Sequence, residues 1–341
     1  MDHRVRRPAV KVARTLARER IEIQDVPLPQ PGPGEALVRV HTVTLCGTDL
    51  HIWEDDYATE LPIVQGHEIA GVVESAPPGS DFQAGDRVAV SPMRWCGTCY
   101  ACSIGRVNAC RNSSCLGCYE DGGLTELLPV SVGVLHPIPE TLPTGLAALA
   151  EPTSIAMQAV RRGRPQKGEQ ALVLGCGPIG LMATLHLTSL GVDVIAADTA
   201  PERSDFARRF GATSTVVVEP DRALALPAEP SLVIEATGSP AAFTTAVEAV
   251  TTAGRVVLVG ISDRSVTLSM RTLPVKDIDL LGSRNSQRRI GQALELLDEH
   301  RDAATALITH RLPFDRIDEA FPLLRSRSQL VGKVAVELMT S

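Results

Sequence analysis

The sequence is poor in aromatic side chains and has no long apolar run. Phe, Trp and Tyr make up only 3% of the 341 residues, so the stacked aromatic platforms that bind single-stranded nucleic acid are not expected. No stretch approaches the ~18 consecutive apolar residues that cross a bilayer. The formal net charge is −7. An acidic chain lacks the positive electrostatic potential that attracts a phosphate backbone. We therefore expect neither nucleic acid nor a membrane as a partner, and predict a small-molecule ligand.

The composition nevertheless provides ample material for packed cores. Hydrophobic residues make up 44% and charged residues 21% of the chain, which is typical of globular proteins. The length favours two domains. The arginine-rich start, MDHRVRRPAVKVARTLARER, lacks the serine enrichment of a transit peptide and soon alternates like a strand. We therefore expect a cytoplasmic location.

The pattern of predicted secondary structure changes near residue 151. Before it, short β-like runs such as EALVRVHTV and HEIAGVVES alternate with turn clusters such as PLPQPGPG, which is typical of an antiparallel β-rich domain. After it, continuous apolar strands alternate with helical segments, as in a parallel sheet covered on both faces. The predicted class is α/β, with a β-rich domain over 1–150 and a doubly wound parallel sheet over 151–286.

A glycine-rich loop, GCGPIG, joins the first parallel strand to its helix. Gly175 permits the tight turn, Gly177 lets the backbone approach a pyrophosphate, and Gly180 allows the helix to pack closely on the strand. Pro178 and Ile179 open that helix, whose N-terminus favours an anion. This loop predicts a dinucleotide-binding domain of the Rossmann type.

The second parallel strand ends on an acidic residue, Asp198. Its carboxylate can accept from both hydroxyls of an adenosine ribose and would repel a 2′-phosphate, which favours NAD over NADP. Two alternatives stay open, namely Asp198 as a helix cap and Arg203 as a phosphate-binding residue. Further cofactor contacts are predicted where the fourth and fifth parallel strands end, at Thr237, Gly238, Gly260 and Ile261.

Four cysteines stand within fifteen positions, at Cys96, Cys99, Cys102 and Cys110. Disulfides are not expected in a chain of cytosolic character, and the spacing differs from that of common iron–sulfur sites. Four thiolates suit a closed, structural zinc site that fixes a loop without its own core. A further C-x-x-C, Cys115 and Cys118, is interpreted as packed thiols, with metal exchange or redox activity as the alternatives.

A second, open metal site is predicted from scattered residues. Cys46 lies in TLCGTDLH, and His67 and Glu68 lie in VQGHEIAG. Glu151 lies at the boundary between the β-rich region and the region of alternating strands and helices. A thiolate, an imidazole and one carboxylate would make a three-ligand zinc site whose fourth position is free for chemistry.

The order of these motifs resembles that of the zinc-dependent medium-chain dehydrogenases over essentially the whole chain, in particular the polyol, threonine and sugar-acid branch. The motifs that carry the resemblance are CGTDLHI (46–52), GHE (66–68), the four-cysteine segment, DGGLTE (121–126), EP (151–152), GCGPIG (175–180) and Asp198. The resemblance implies a GroES-like catalytic domain over 1–150 that is completed by 287–341, with the Rossmann domain inserted. It also implies a homodimer or homotetramer.

By the same resemblance, Cys46 and His67 are direct zinc ligands, and Glu68 and Glu151 are carboxylates that bind the metal or exchange with water. The implied reaction transfers hydride between NAD and a secondary alcohol of a polyol, sugar acid, cyclitol or amino alcohol. Two zinc ions per chain are implied, one catalytic and one structural. Thr48 and His51 can relay the alcohol proton to solvent, or serve as a helix cap and a surface residue.

Two other functions remain open on the same fold. One is a zinc-free quinone or enone reductase, which would need no ligand set at 46, 67 and 151. The other is a nucleotide-sensing protein that has lost turnover. The acidic segment IWEDDYATELPIVQ favours a neutral polyol or an amine-bearing alcohol over a sugar acid, because Asp55, Asp56 and Glu60 would repel a carboxylate.

Overall fold

The chain forms two units, and the second is inserted into the first. The first unit comprises Met1–Glu151 and Ile290–Ser341, and the second comprises Pro152–Arg289. The computed structural model describes residues 9–219, 222, 224–326 and 330–339. The first eight residues of the arginine-rich start therefore lie outside the described residues.

Eighteen strands are present in the described residues, most of them short. In chain order they are β1 (Ala9–Ala17), β2 (Arg20–Pro27), β3 (Glu35–Leu45), β4 (Ile63–Val64), β5 (Glu68–Ser75), β6 (Arg87–Val90), β7 (Met93–Arg94), β8 (Ser114–Cys115), β9 (Leu127–Ser131), β10 (Leu135–Pro137), β11 (Gln170–Leu174), β12 (Asp193–Asp198), β13 (Ser214–Val217), β14 (Leu232–Glu235), β15 (Arg255–Leu258), β16 (Asp279–Gly282), β17 (Ile308–Pro313) and β18 (Lys333–Glu337).

Eleven α-helices accompany these strands in the same described residues. They are α1 (Gly47–Trp53), α2 (Tyr100–Ser103), α3 (Thr144–Ala147), α4 (Ala150–Gly163), α5 (Pro178–Ser189), α6 (Pro201–Phe206), α7 (Pro240–Ala249), α8 (Thr272–Lys276), α9 (Ile290–Glu299), α10 (Arg301–Leu307) and α11 (Ile317–Arg325). None of the helices seen in these parts of the chain is long and apolar enough to cross a membrane.

The main sheet of the first unit is built around β3. Its strand order is β10-β6-β5-β3-β18-β17, with β9 also paired to β3. The register sets Thr44 opposite Glu68 of β5 and Leu45 opposite Val334 of β18. Because both neighbours of β3 run antiparallel to it, the end of β3, the start of β5 and the start of β18 meet at one edge.

Helix α1 continues directly from β3 and is held by the C-terminal part of the chain. The Trp53 ring stacks on Phe321 of α11 with centroids 5.4 Å apart. The Arg325 guanidinium lies 5.2 Å from the centre of the Trp53 ring. Stacking and cation–π contacts of this kind add to the burial of apolar area. The C-terminal segment therefore helps to fix the position of α1.

The second unit contains one parallel sheet of six strands, in the order β13-β12-β11-β14-β15-β16. This is the doubly wound order in which the direction of strand succession reverses between β11 and β14. Residues such as Leu172, Val194 and Ile234 are fully buried in it, as expected for strands covered on both faces. The α/β class with a doubly wound parallel sheet was predicted from the sequence, and the structure has it.

The glycine loop lies at the carboxyl end of β11, beside the point of reversal. Gly175 has a φ of +95°, a conformation that costs glycine little. A Cβ added at Gly180 would lie 1.8 Å from the Gly175 carbonyl oxygen, whereas one added at Gly177 would meet nothing within 4 Å. The close packing at the start of α5 therefore requires glycine at position 180. Position 177 has open space beside it, and it is the position where the backbone is predicted to approach a pyrophosphate.

These two glycines give a matched pair of variants. We predict that Gly180→Ala lowers the thermal unfolding midpoint by about 4 °C or more, because the overpacked loop must move at a cost of about 1–3 kcal/mol. Gly177→Ala should unfold within about 1 °C of the wild type, since its methyl group enters open space. Differential scanning calorimetry of the two variants measures this, and equal midpoints would contradict the close packing of Gly180 on Gly175.

Candidate functional site

Cys46 lies at the junction of β3 and α1, where it caps the helix. Its Sγ accepts a hydrogen bond from the Thr48 N–H at 3.1 Å, and the Asp49 carboxylate accepts from the Cys46 N–H at 2.9 Å. This reciprocal capping box satisfies backbone donors at the start of the helix. The thiol is consequently held in one place at the end of the strand.

The His67 ring lies directly against Cys46. Its Nε2 is 3.0 Å from the Cys46 Sγ, and its Nδ1 is 3.6 Å from an Asp49 carboxylate oxygen. Only 6% of His67 is exposed. Burial by itself would lower the pKa of His67, but the charges of Cys46 and Asp49 raise it well above its ordinary value. The Asp49 carboxylate thus faces the second ring nitrogen from beyond hydrogen-bond distance, and the Cys118 sulfur lies 3.7 Å from the same nitrogen.

Glu68 also lies close to that ring, with a carboxylate oxygen within 4.8 Å of a His67 nitrogen, and it is engaged by two buried partners. Lys333 donates a short hydrogen bond to one oxygen of the Glu68 carboxylate, and the Thr44 hydroxyl donates one to the other oxygen. The exposed fractions of Lys333 and Glu68 are 2% and 1%. Burial would lower the pKa of Lys333, but Glu68 and Cys46 raise it. The lysine therefore stays charged and holds Glu68 in an ion pair.

Glu151 contributes the other carboxylate from the first turn of α4. Its side chain is buried, with 7% exposed, and one of its oxygens lies within 4.8 Å of donor atoms of both His67 and Glu68. Burial raises the pKa of Glu151 to about 7. A carboxyl group whose charged form is disfavoured by burial gains from a nearby cation.

The donor atoms in this cluster fit a zinc ion. Cys46 and His67 offer one sulfur and one nitrogen in near contact, and Glu151 offers an oxygen within 4.8 Å of a His67 nitrogen. These are the three ligand types that zinc takes in catalytic sites. Asp49 is also close, but its carboxylate already accepts from the backbone N–H groups of Cys46 and Gly66.

Of the predicted relay residues, Thr48 lies beside Cys46 and His51 lies on the exposed side of α1. The His51 Nδ1 is 2.9 Å from an Asp56 carboxylate oxygen, and its side chain is exposed. His51 groups with Glu54 and Asp56 rather than with the buried cluster. An exposed imidazole one helical turn from the metal-ligand candidate is placed to exchange protons with water.

The four cysteines of residues 96–110 converge on one point. The sulfur of Cys99 lies 3.6 Å from that of Cys102 and 3.8 Å from that of Cys110, while Cys110 lies 3.5 Å from Cys96. Hydrogen bonds from the backbone and hydroxyl of Thr98 lower the pKa of Cys96 to about 5. Four sulfurs at these separations fit a tetrahedral zinc site with no open position.

In the second unit, Asp198 ties the glycine loop to the next helix. One carboxylate oxygen accepts from the Cys176 N–H at 2.8 Å, and the other accepts from the Ala200 N–H at 3.0 Å. Asp198 thus stabilises the glycine loop and also binds the backbone of Ala200, the N-cap residue of α6. Gly175, Gly177, Pro178, Ile179 and Gly180 form the loop and the start of α5, and Arg203 lies in α6.

The remaining predicted cofactor residues meet at the ends of β14 and β15. Glu235 is buried there and accepts from the backbone N–H groups of Thr237 at 2.7 Å and Gly238 at 3.0 Å. A Cβ at Gly260 would lie 2.0 Å from the Gly238 nitrogen, so the two loops are in direct contact. Ile261 is highly exposed beside them.

Sequence reasoning missed the residues that support the site. Thr44, Asp49, Glu235 and Lys333 were not among the predicted site residues. Lys333 carried a signal, because a lysine opening the apolar strand KVAVE needs a buried counter-charge. Its partner Glu68 could not be found without the pairing of β3 with both β5 and β18.

Two family models cover most of the chain. The alcohol dehydrogenase GroES-like domain matches residues 32–140, and the glucose dehydrogenase C-terminus matches residues 144–338. Fold and site thus define a zinc-type dehydrogenase with a GroES-like domain and a Rossmann domain.

Curated relatives extend over almost the full length. L-galactonate-5-dehydrogenase of Escherichia coli K12 is 35% identical, in an alignment that covers 90% of this chain and 93% of the relative. L-threonine 3-dehydrogenase of Pyrococcus horikoshii is 32% identical, in an alignment that covers 96% of this chain and 98% of the relative. The chain belongs to the medium-chain alcohol dehydrogenase family, in the branch of polyol, sugar-acid and threonine dehydrogenases. The predicted family and the predicted class of oxidoreductase are confirmed.

Solved structures agree with this assignment. An alcohol dehydrogenase from E. coli CFT073 complexed with NADH has a TM-score of 0.89 at 28% identity, covering 97% of this chain and 99% of that chain. A dehydrogenase from Sinorhizobium meliloti 1021 bound to NADP has a TM-score of 0.90 at 27% identity, covering 97% of this chain and 100% of that chain.

The buried ion pair at the site can be tested by substitution. We predict that Lys333→Met lowers stability by about 3–5 kcal/mol, because it leaves the Glu68 carboxylate buried without its counter-charge. The double variant Lys333→Met with Glu68→Gln should recover much of this loss, since no unpaired charge remains. Urea unfolding midpoints of both variants measure the effect.

Lys11→Met, at an exposed position of β1, serves as the control and should leave the midpoint unchanged. If Lys333→Met were as stable as the control, or if the double variant were no better than the single one, Lys333 would not be the partner that Glu68 requires.

Proposed function

We propose that this protein is an NAD-dependent zinc alcohol dehydrogenase that acts on a secondary alcohol of a polyol, sugar acid, cyclitol or amino alcohol. The observation that carries the proposal is the convergence of two donors on His67, whose ring lies 3.0 Å from the Cys46 sulfur and within 4.8 Å of a Glu151 carboxylate oxygen. Residues 1–150 with 287–341 would form the catalytic domain, and residues 151–286 would bind the dinucleotide.

Cys46, His67 and Glu151 would hold the catalytic zinc. When bound, zinc acts as a Lewis acid that makes a substrate hydroxyl easier to deprotonate. Glu68 would not bind the zinc ion, because both of its oxygens already accept hydrogen bonds, from Lys333 and Thr44. Asp49 would hold Cys46 in place by accepting from its backbone N–H at 2.9 Å. The chain would thus supply three ligands, and an alcohol could take the fourth.

Proton release would follow the exposed side of α1. The Thr48 hydroxyl lies two residues beyond the Cys46 ligand and can pass a proton from the alcohol towards His51. Asp56 holds the His51 ring at 2.9 Å, so that the ring is presented to water in a fixed orientation. His51 would accept the proton and return it to solvent.

The dinucleotide would bind on the glycine loop of the second unit. Bound NAD supplies the hydride acceptor. Gly177 and the start of α5 would face its pyrophosphate, and Asp198 would face the adenosine ribose. Asp198 has a second task, since its oxygens also hold the Cys176 and Ala200 N–H groups. Loops at Thr237, Gly238, Gly260 and Ile261 would contact the nicotinamide half.

A second zinc would be structural. Cys96, Cys99, Cys102 and Cys110 would provide all four ligands, so that no substrate position remains. The segment that carries them contains only the short helix α2 and one 3₁₀ turn, too little structure to build an apolar core. The metal would therefore supply the folding energy that this segment lacks.

Assembly into a homodimer or homotetramer is part of the proposal. Among the described residues, β16 pairs with β15 alone, so one edge of the parallel sheet is free to pair with another strand. Met270 and Val275, which precede it, are 92% and 59% exposed. A second copy of the chain placing its own β16 there would cover both the edge and the apolar side chains.

Removal of a zinc ligand tests the proposed reaction. We predict that Cys46→Ser lowers the zinc content from about two ions per chain to about one and abolishes alcohol-dependent NAD reduction. NADH binding should be unchanged, because the dinucleotide loop belongs to the other unit. Zinc analysis, NADH fluorescence titration and a substrate panel of polyols, sugar acids and amino alcohols provide the measurements.

Cys115→Ser, which alters a thiol outside both ligand sets, is the control and should keep both ions and full activity. Undiminished turnover in Cys46→Ser would favour the zinc-free reductase. A wild-type protein that binds NADH and zinc but reduces no NAD with any substrate of the panel would favour the nucleotide-sensing alternative.

The acidic residue at the end of β12 sets the cofactor preference. We predict that Asp198→Asn raises the ratio of kcat/KM for NADP to that for NAD by about tenfold or more, because the charge that repels a 2′-phosphate is lost. The asparagine oxygen can still accept from one of the two loop N–H groups, so thermal stability should change little. Steady-state kinetics with both cofactors measure the ratio, and an unchanged ratio would remove Asp198 from its proposed role.

A further inference from the structure

A tight turn places the second C-x-x-C pair close together. The Cys118 N–H donates to the Cys115 carbonyl at 3.2 Å, and Gly117, the third residue of the turn, has a φ of +77°. These are the features of a type II turn, whose first and last Cα atoms are less than about 7 Å apart. Disulfides need Cα atoms at about 4.4–6.8 Å. The backbone of the turn therefore suits a disulfide between Cys115 and Cys118.

This turn packs on the backbone that carries a zinc-ligand candidate. A Cβ at Gly117 would lie 2.5 Å from the Gly66 carbonyl oxygen. The backbone of the turn is therefore in direct contact with the backbone one residue before His67. The Cys118 Sγ itself lies 3.7 Å from the His67 Nδ1. A change in the turn is thus transmitted to the ring through both the backbone and the thiol.

The two thiols differ in their access to solvent. Cys115 is half-buried, whereas Cys118 is buried in a small cluster with Ile52 and Ile63. Cys115 is accordingly the sulfur that a reagent in solution meets first, and Cys118 is the one that completes the reaction.

We propose that Cys115 and Cys118 form a reversible intrachain disulfide in exchange with a low-molecular-weight disulfide such as oxidised glutathione. Cys115 attacks the glutathione disulfide and releases one glutathione thiol. Cys118 then attacks the mixed disulfide at the Cys115 sulfur and releases the second. The protein dithiol is oxidised, one glutathione disulfide is reduced to two thiols, and the two protein protons leave with them.

Oxidation would lower the dehydrogenase activity, and this consequence rests on the proposed function. The disulfide removes the Cys118 thiol from its contact with the His67 Nδ1 and tightens the turn that lies on Gly66. Tyr119, whose hydroxyl lies 3.1 Å from that of Tyr57, follows the turn directly. The disulfide would therefore also disturb the segment that follows α1.

The test uses the zinc-loaded protein, equilibrated with glutathione buffers from fully reduced to fully oxidised. Free thiols are then alkylated, and the protein is digested with trypsin. The peptide 112–161 contains Cys115 and Cys118 as its only cysteines and has no internal lysine or arginine. We expect this peptide to lose both alkyl groups in oxidised buffer and to become lighter than the reduced peptide by two hydrogen atoms. Dithiothreitol should reverse the change.

Activity and zinc content are measured on the same samples. Wild-type turnover should fall several-fold in oxidised buffer and return on reduction, with the zinc content constant. Cys115→Ser should keep its turnover in both buffers, since neither the attacking thiol nor the disulfide is present. The peptide mass reports the disulfide even if the protein proves to have no dehydrogenase activity, so the two proposals fail separately.

Three results would overturn the inference. The first is full alkylation of both cysteines at every glutathione ratio. The second is a stable mixed disulfide with glutathione at Cys115 that Cys118 does not resolve. The third is a further zinc ion per chain that Cys115→Ser removes, which would make the pair a metal site. Loss of activity in oxidised buffer that Cys115→Ser does not prevent would place the oxidation at another thiol and contradict the coupling to His67.

Discussion

The geometry of the candidate metal site depends on one buried ion pair, between Lys333 and Glu68. Both groups are almost completely buried, and a lone charge at that depth would be strongly destabilising. Because Lys333 and Thr44 engage the two oxygens of Glu68, this carboxylate is fixed beside His67 with both oxygens already occupied. The metal position is then left to the thiol, the imidazole and Glu151, which makes Glu151 the third ligand in the proposed zinc site.

Strand pairing brings these residues together from distant parts of the chain. β3 delivers Thr44 and Cys46, β5 delivers Glu68, and β18 delivers Lys333, all at one edge of the same sheet. The C-terminal segment is therefore part of the site as well as part of the fold. The turn of Cys115 and Cys118 packs against Gly66, and the Cys118 sulfur lies 3.7 Å from the His67 Nδ1.

Much of the fold could be predicted from the sequence, because periodicity and glycine spacing are local signals. The alternation of apolar strands and helices indicated the parallel sheet, and GCGPIG indicated the loop at its first crossover. The four cysteines, close in sequence, indicated their own convergence. Lys333 and Asp49 were missed because their roles depend on partners that long-range strand pairing supplies. Asp198 shows a similar limit, since its hydrogen bonds to Cys176 and Ala200 appear only in three dimensions.

The most direct test of the proposed zinc site is a crystal structure of the zinc-loaded protein without substrate. It should show a zinc ion at about 2.0–2.3 Å from the Cys46 sulfur, the His67 Nε2 and one oxygen of Glu151, with Lys333 still paired to Glu68. A zinc ion bound by a Glu68 oxygen in place of Glu151, with Lys333 displaced from its partner, would contradict the role assigned to the ion pair.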